Sequence, residues 1–244
     1  MSLVDSPNRD MNRVGQSRQK ESRQMPVISF ASSKGGAGKT TACVVLGSEI
    51  SESTTVAMID ADPAQRMISW AERGELPDNI TIISCTDENK IMDVIADAQS
   101  RATVVLVDLE GVASRLNTFA VLRSDLVIIP MGDEQQDADA AVETMAQVRL
   151  DGQGAGRNIE TRVLFTRVKA AVKSNLQKEI NSSMRANVPC FKTELVERTS
   201  YSSLHNQGGV LRSLSDVRGL DKAVENAEAL AAEVLDVLVS EKAA

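Results

Sequence analysis

The feature that most constrains the fold is a glycine- and lysine-rich loop, Phe30–Thr41 (FASSKGGAGKTT), between an apolar run and a helical pattern. Glycines allow the backbone to turn so that successive N–H groups point inward, and the N-terminus of the following helix adds its positive end. In this pattern Lys39 reaches the β- and γ-phosphates of a nucleotide, and the Thr40 hydroxyl binds Mg²⁺. The sequence therefore predicts a phosphate-binding loop with a strand before it and a helix after it.

Short apolar runs alternate with amphipathic stretches along the rest of the chain. Nearly continuous apolar strands that alternate with helices are typical of a parallel sheet covered on both faces. The predicted strands lie at 27–31, 55–59, 80–85, 103–107, 126–130 and 162–165, with a weaker seventh at 189–191. The predicted helices lie at 40–51, 65–73, 87–99, 113–123, 135–150, 173–186 and 220–239. We expect a single α/β domain at 26–244, with a mostly parallel twisted sheet, preceded by a flexible polar tail at 1–25.

Composition excludes several classes of protein. Hydrophobic residues make up 42% of the 244 and charged residues 25%, as in soluble globular proteins. The sequence has no run of about 18 apolar residues and its first residues have no apolar leader, so we expect a cytoplasmic protein. Cys43, Cys85 and Cys190 are widely spaced, which disfavours a disulfide framework or a paired-cysteine metal site.

Charge is unevenly distributed along a chain whose formal net charge is −7. Residues 149–222 carry 13 basic and 7 acidic side chains and could present a cationic face to a polyanion. The other interpretation is that these lysines and arginines only solvate helices. Residues 223–244 carry one basic and five acidic side chains, which an anionic lipid surface would repel, so membrane binding is not expected.

Two predicted strands end in carboxylates. The first continues into Asp60 and Asp62 (VAMIDADP), and the second ends at Asp108 (VVLVD), the form of a Walker B strand. Because the carboxyl ends of parallel strands face the ligand crevice, we expect these acids near the phosphate loop, with Asp108 holding Mg²⁺ through water. The alternative for Asp62 is that it caps the helix that follows.

The phosphate loop departs from the common pattern at its start. Ser33 stands where glycine is usual, and a second lysine, Lys34, precedes Gly35. Together with DADP and the Asp108 strand, this resembles the deviant Walker A motif, KGGxGK[ST], of the ParA/MinD family of ATPases. The resemblance runs from about residue 26 to 240 and is closest to small ParA-type proteins, a group that includes a T-DNA-transfer virulence ATPase.

The resemblance implies a P-loop NTPase fold of the deviant Walker A type, with ATP and Mg²⁺ as ligands. It implies that Lys34 reaches across a dimer to the partner's nucleotide, whereas Lys39 acts on the nucleotide bound by its own chain. It also implies that Asp62 orients the attacking water. The metal site implied consists of Thr40, Asp60 and Asp108. The nucleotide contacts implied are Gly35, Gly36, Ala37, Gly38, Lys39, Thr40, Thr41, Thr166 and Arg167.

The base end of the site is less well defined. Relatives commonly place an adenine-reading asparagine where this chain has Thr166, so adenine preference follows from the family and not from this residue. The stretch from Cys190 to Arg198, with Gly208 and Gly209, resembles the segment that closes over the base. Roles for Glu110 and Gln65 stay open.

The function implied is DNA partition. ATP closes a homodimer that binds DNA without sequence preference, and a small ParB-like partner stimulates otherwise weak hydrolysis, on the bacterial nucleoid. The candidate DNA contacts are Lys169, Lys173, Lys192, Arg198, Arg212 and Arg218, with Arg157, Lys178 and the tail residues Arg9, Arg13, Arg18 and Arg23 as further candidates. The alternatives are a switch for a protein or T-DNA-type cargo and a metabolic ATPase of the superfamily.

Two side chains draw attention only because they are rare. His205 is the single histidine and has no His or Cys neighbour in sequence, so a metal site there is not expected. Trp70 is the single tryptophan, and we expect it to pack under its helix.

Overall fold

The computed structural model describes residues 25–168 and 174–241. The strands are β1 (Val27–Phe30), β2 (Val56–Ala61), β3 (Ile80–Ser84), β4 (Val104–Leu109), β5 (Leu126–Met131), β6 (Glu160–Val168) and β7 (Leu195–Val196). They form one sheet in the order β3-β2-β4-β1-β5-β6-β7, and every neighbouring pair is parallel. The carboxyl ends of all seven strands therefore lie along the same edge.

Eight α-helices are described within those residues. They are α1 (Lys39–Ile50), α2 (Arg66–Ala71), α3 (Ile91–Arg101), α4 (Arg115–Leu122), α5 (Gln135–Gly154), α6 (Asn175–Asn187), α7 (Thr199–Gln207) and α8 (Leu220–Glu241). A short 3-10 turn covers Leu211–Ser213. None of these helices combines the length and apolar character needed to cross a bilayer.

The sheet has an apolar core on each face. Because side chains alternate along a strand, Ile28 enters the core under α1, α2, α7 and α8, while Val27 enters the core under α3 to α6. Trp70 is fully buried in the first core, as expected. The predicted single α/β domain with helices on both faces of a parallel sheet is thus confirmed.

The edge of the sheet beyond β6 differs from the prediction. The seventh strand is β7 at Leu195–Val196 and not 189–191, because Cys190 makes only one isolated bridge, to Val163, before the chain leaves the sheet. Helix α7 was not predicted, since its sequence TSYSSLHNQ is rich in serine, which favours helix ends over helix interiors. The predicted tail at 1–25 lies outside the described residues except for Met25.

Candidate nucleotide-binding site

The phosphate loop connects β1 to α1 at the centre of the sheet edge. Its glycines are used where the backbone needs them: Gly36 and Gly38 have φ of 77° and 96°, in the left-handed region that favours glycine. Gly38 is also the cap residue of α1, so the first turn of that helix, beginning at Lys39, points its free N–H groups toward the loop. This arrangement suits an anionic ligand.

The first half of the loop is attached to α5. The backbone N–H of Ser33 donates to Thr144 Oγ1 at 3.0 Å. The hydroxyl of this serine, which stands in place of the usual glycine, donates to the Ala140 carbonyl at 3.3 Å. The Lys34 ammonium lies 2.5 Å from Asp137 Oδ1, and the Lys34 side chain is 34% exposed. Lys34 therefore pairs within its own chain, and its contact with a partner's nucleotide stays a prediction.

Thr40 and Asp108 face each other at the start of α1 and the end of β4. The Thr40 hydroxyl donates to Asp108 Oδ2 at 2.6 Å, while Asp108 Oδ1 is buried without a hydrogen-bond partner. Burial raises the pKa of Asp108 to about 7, and the nearby charge of Asp60 adds to the effect. A buried carboxylate with an unused oxygen beside a threonine hydroxyl is a donor set that Mg²⁺ accepts, so these residues fit the ion.

Lys39 lies next to this pair. Its side chain is buried, and burial lowers the pKa of the ammonium against the opposing effect of Asp108, Asp62 and Glu110. A β-carbon at Gly111 would lie 3.3 Å from Lys39 Nζ, so the turn after β4 approaches the lysine closely. The ammonium is thus held among carboxylates, and a phosphate would supply the anion that a poorly solvated cation lacks.

The Asp60 carboxylate accepts hydrogen bonds from the backbone at the start of α2. Its Oδ2 accepts from the N–H groups of Met67 and Ile68 at 2.9 and 3.0 Å, and its Oδ1 accepts from Asp62 N at 3.2 Å. The capping role considered for Asp62 therefore belongs to Asp60. Oδ2 of Asp60 thus accepts two hydrogen bonds and Oδ1 accepts one, and Asp60 is paired with Asp108 on the neighbouring strand. Its predicted part in the Mg²⁺ site stays a prediction.

Asp62 lines the mouth of the site. Its Oδ1 accepts from Ala64 N at 2.8 Å and its Oδ2 from Arg66 at 3.2 Å, with the carboxylate side chain 14% exposed and the arginine 65% exposed. Gln65 has φ of 49° and its amide donates to the Asp62 carbonyl at 3.0 Å. The local turn therefore holds Asp62 toward the same cavity as Lys39.

A cavity of about 620 Å³ extends from the phosphate loop between α2 and α7. This volume is in the range of small-molecule sites. The loop and its surroundings contribute Gly36, Ala37, Gly38, Lys39, Thr40, Thr41, Asp62, Thr166 and Arg167. Sequence reasoning missed part of the wall, which is formed by Arg66, Ser69, Arg73, Tyr201, Ser202 and His205.

Thr166 and Arg167 support the loop. The Thr166 hydroxyl donates to the Ala37 carbonyl at 2.7 Å and is buried, so it holds the loop in place instead of replacing an adenine-reading asparagine. Arg167 has φ of 56°, and its guanidinium donates to the Gly36 carbonyl at 3.1 Å. Both residues line the predicted nucleotide cavity, although the Thr166 hydroxyl is already bonded to the phosphate loop.

The DNA-contact candidates separate into groups. Arg212 forms ion pairs with Glu49, Glu52 and Glu228, so its charge is already balanced and it is a poor candidate. Arg198 lines the nucleotide cavity and its Nε is buried, and its contact with DNA stays a prediction.

The remaining candidates are all exposed where the structure describes them. Lys192, Arg218 and Lys178 are exposed. Arg157 donates to the carbonyls of Leu122 and Ser124. Lys169, Lys173 and the arginines of the tail lie outside the described residues.

The phosphate loop has a second lysine and lies beside carboxylates at the ends of β4, the neighbour of β1, and of β2, the neighbour of β4. This combination defines a P-loop ATPase of the ParA/MinD type. The chain belongs to the VirC1 family, because the model of that family, described as VirC1 protein, matches residues 25–239. The resemblance stated from the motifs is confirmed.

Individual relatives agree with this assignment. The chain is 41% identical over 217 residues to Protein ParA of Rhizobium radiobacter, covering 88% of this chain and 98% of that protein. It is 28% identical to Protein virC1 of Rhizobium rhizogenes, covering 80% and 86%. The fold is similar to that of apo McdA from Cyanothece, with a TM-score of 0.69 at 20% identity over 84% of this chain and 99% of that chain. It is also similar to that of a putative plasmid partition protein from Borrelia burgdorferi B31 bound to AMPPNP (TM-score 0.66, 16% identity, 87% and 99% covered).

Proposed function

We propose that the protein is a partition ATPase whose dimerisation is controlled by ATP. Mg²⁺-ATP closes two copies into a sandwich dimer, the dimer binds DNA without sequence preference, and hydrolysis stimulated by a small ParB-like partner reopens it. Relatives named ParA and virC1 support the class of function.

One observation carries this proposal. Lys34 belongs to the phosphate loop, yet it does not line the cavity of its own chain and points instead to Asp137 on α5. A second lysine in this position would stabilise the charge of a γ-phosphate only if that phosphate belonged to a facing subunit. The partly exposed ion pair with Asp137 is weak enough to exchange for such a contact.

The residues around the cavity divide the work of hydrolysis. Lys39 and the N–H groups of the α1 start bind the β- and γ-phosphates, and Thr40 and Asp108 would hold Mg²⁺, which neutralises phosphate charge when bound. Asp62 orients the attacking water and accepts its hydrogen bond. For this, Asp62 Oδ2 has to leave Arg66, whose exposed side chain makes that exchange inexpensive.

DNA binding follows from the doubling of basic surfaces. One protomer neutralises few phosphates, whereas two protomers held together release about twice as many counterions, so affinity becomes dependent on ATP and on salt. Among the described candidates, we expect the exposed residues Lys178, Lys192 and Arg218 to contribute. The alternative is that the same dimer switch positions a protein or a T-DNA-type cargo.

The experiment is DNA binding by the purified full chain with ATP, ADP or no nucleotide, over a series of salt concentrations. We expect ATP alone to produce tight binding that weakens steeply with salt, and Lys34→Ala to lose it. Lys90→Ala is the matched control, because Lys90 is an exposed lysine that pairs with Asp87 away from the cavity. An ATP-bound dimer that ignores DNA at low salt would contradict partition and favour another cargo.

A further inference from the structure

His205, the single histidine of the chain, contacts the phosphate-binding helix directly. Its Nε2 lies 2.9 Å from the hydroxyl oxygen of Thr41, a residue 164 positions away in the chain. Both side chains line the nucleotide cavity. Thr41 is in the first turn of α1, one residue after the predicted Mg²⁺ threonine, so the imidazole stands at the end of the phosphate loop.

The backbone around His205 is held from two sides. Arg73, two residues after the end of α2, donates from its guanidinium to the His205 carbonyl at 2.6 Å. Helix α7 then ends at Gly208, whose φ is 73°, and a β-carbon there would collide with the backbone of Gly74. One turn earlier on the same face of α7, the Tyr201 hydroxyl donates to the Ala223 carbonyl of α8 at 3.1 Å. The position of the imidazole is therefore set by α2, α7 and α8 together.

We propose that His205 is a nucleotide-positioning residue, which acts by donating from Nε2 to the Thr41 oxygen and so directing the Thr41 O–H toward the phosphate chain. A neutral imidazole has one donor and one acceptor nitrogen, and a threonine hydroxyl has one hydrogen to give. When the imidazole occupies the hydroxyl's acceptor side, the hydroxyl hydrogen is free to point into the cavity. The inference rests on the proposed use of this cavity for a nucleotide.

The place of Thr41 specifies which part of the nucleotide is affected. In a phosphate loop the backbone N–H groups cradle the α- and β-phosphates, and the γ-phosphate lies toward the invariant lysine, here Lys39. Thr41 follows Lys39 and Thr40 into the helix and therefore faces the sugar-side end of the phosphate chain. A nucleotide without a γ-phosphate keeps that end, so ADP and ATP should depend on His205 equally.

The test is calorimetric titration of the purified full chain with ADP and with ATP, each with Mg²⁺, without DNA. His205→Leu keeps the approximate size of the side chain and removes the hydrogen bond. We expect it to lower the affinity for both nucleotides about three- to tenfold. His205→Gln returns a side-chain N–H donor, and we expect its affinities within about twofold of wild type. In steady-state hydrolysis, His205→Leu should raise KM by a similar factor and leave kcat almost unchanged.

A double-mutant cycle with Thr41→Val separates positioning from packing. If His205 acts through Thr41, the double variant Thr41→Val/His205→Leu loses no more affinity than Thr41→Val alone. The proposal would be overturned if the double variant lost the product of the two single-variant factors in affinity. It would also be overturned if His205→Leu and His205→Gln lost affinity equally, or if His205→Leu bound nucleotide like wild type. Wild-type protein that binds ATP but not DNA would instead contradict only the partition function.

Discussion

The Lys34 ammonium lies 2.5 Å from Asp137 Oδ1, and Asp137 is at the same time the third residue of α5, where its other oxygen accepts from Glu134 N. If Lys34 acts on a facing subunit, this pair has to open. We expect Asp137→Asn, which keeps an oxygen for the helix start but removes the charge, to tighten ATP-dependent dimerisation up to about fivefold, because such pairs are worth ~0–1 kcal/mol. Analytical ultracentrifugation with ATP measures this, with Asp97→Asn as control for the exposed pair with Arg101. A weaker dimer would mean that Asp137 positions Lys34.

Substitution of the two lysines of the loop should impair different steps, nucleotide binding for Lys39 and dimerisation for Lys34. Lys39→Ala removes a charged hydrogen bond to phosphate, so nucleotide affinity should fall at least about tenfold. Lys34→Ala should bind nucleotide like wild type and fail to dimerise, since Lys34 lies outside the cavity of its own chain. Titration calorimetry and ultracentrifugation on the same preparations separate the two steps. Loss of nucleotide binding in Lys34→Ala would refute a role across the dimer.

Asp62→Ala should slow hydrolysis about a hundredfold or more, because positioned acid–base groups contribute roughly 10²–10⁴-fold. ATP binding and dimerisation should remain, so the variant accumulates as an ATP-bound dimer. Single-turnover hydrolysis with an ultracentrifugation readout tests this. Arg66→Ala is the control, since it removes the partner of Asp62 and leaves the carboxylate. Turnover at the wild-type rate in Asp62→Ala would remove Asp62 from the mechanism.

Asp108→Asn should stabilise the protein without nucleotide and inactivate it. Burial raises the pKa of Asp108 to about 7, so at pH 8 the native state holds an ionised carboxylate in surroundings that disfavour its charge. We expect the free energy of unfolding to rise on the order of 1–3 kcal/mol in the variant. Mg²⁺-ATP should stabilise wild type strongly and the variant little. Urea denaturation at pH 8 measures both, with exposed Asp78→Asn as control; an unstable Asp108→Asn would contradict the argument.

His205 should make stability depend on pH. Burial, with a smaller contribution from the charge of Arg73, lowers its pKa below the ordinary 6.5. As pH falls below about 6.5, the unfolded chain takes up a proton that the native state resists, so this stabilising contribution is present above that pH and is lost below it. The free energy of unfolding of wild type minus that of His205→Gln should therefore decrease from pH 7.5 to pH 5.5. Asp60 and Asp108 are present in both variants, so the difference isolates His205. A difference independent of pH would contradict the assignment.

The central sheet and the loop could be predicted because their signals are local. Strands such as β4, Val104–Leu109, are buried along their whole length and so read as unbroken apolar runs. The loop requires glycine where φ is positive and a lysine and threonine at fixed spacing, and Gly36, Gly38, Lys39 and Thr40 meet that requirement within five residues.

The sequence is least informative where a residue's partner is distant in the chain. Asp60 and Asp62 are both acids after the same strand, and only the path of the chain into Met67 shows which one caps α2. Arg212 looked like a free cation until the fold brought three glutamates to it. The role of His205 depends on α7, whose serine-rich sequence carries no helical pattern.

The main-chain contact between α2 and α7 limits how these helices can move. A β-carbon at Gly74 would lie 2.6 Å from Gly209 N, so the two segments touch backbone to backbone with no side chain between them. No rotamer change can absorb a shift at such a junction. A displacement of His205 would therefore also have to move the segment that follows α2, where Arg73 is bonded to the His205 carbonyl.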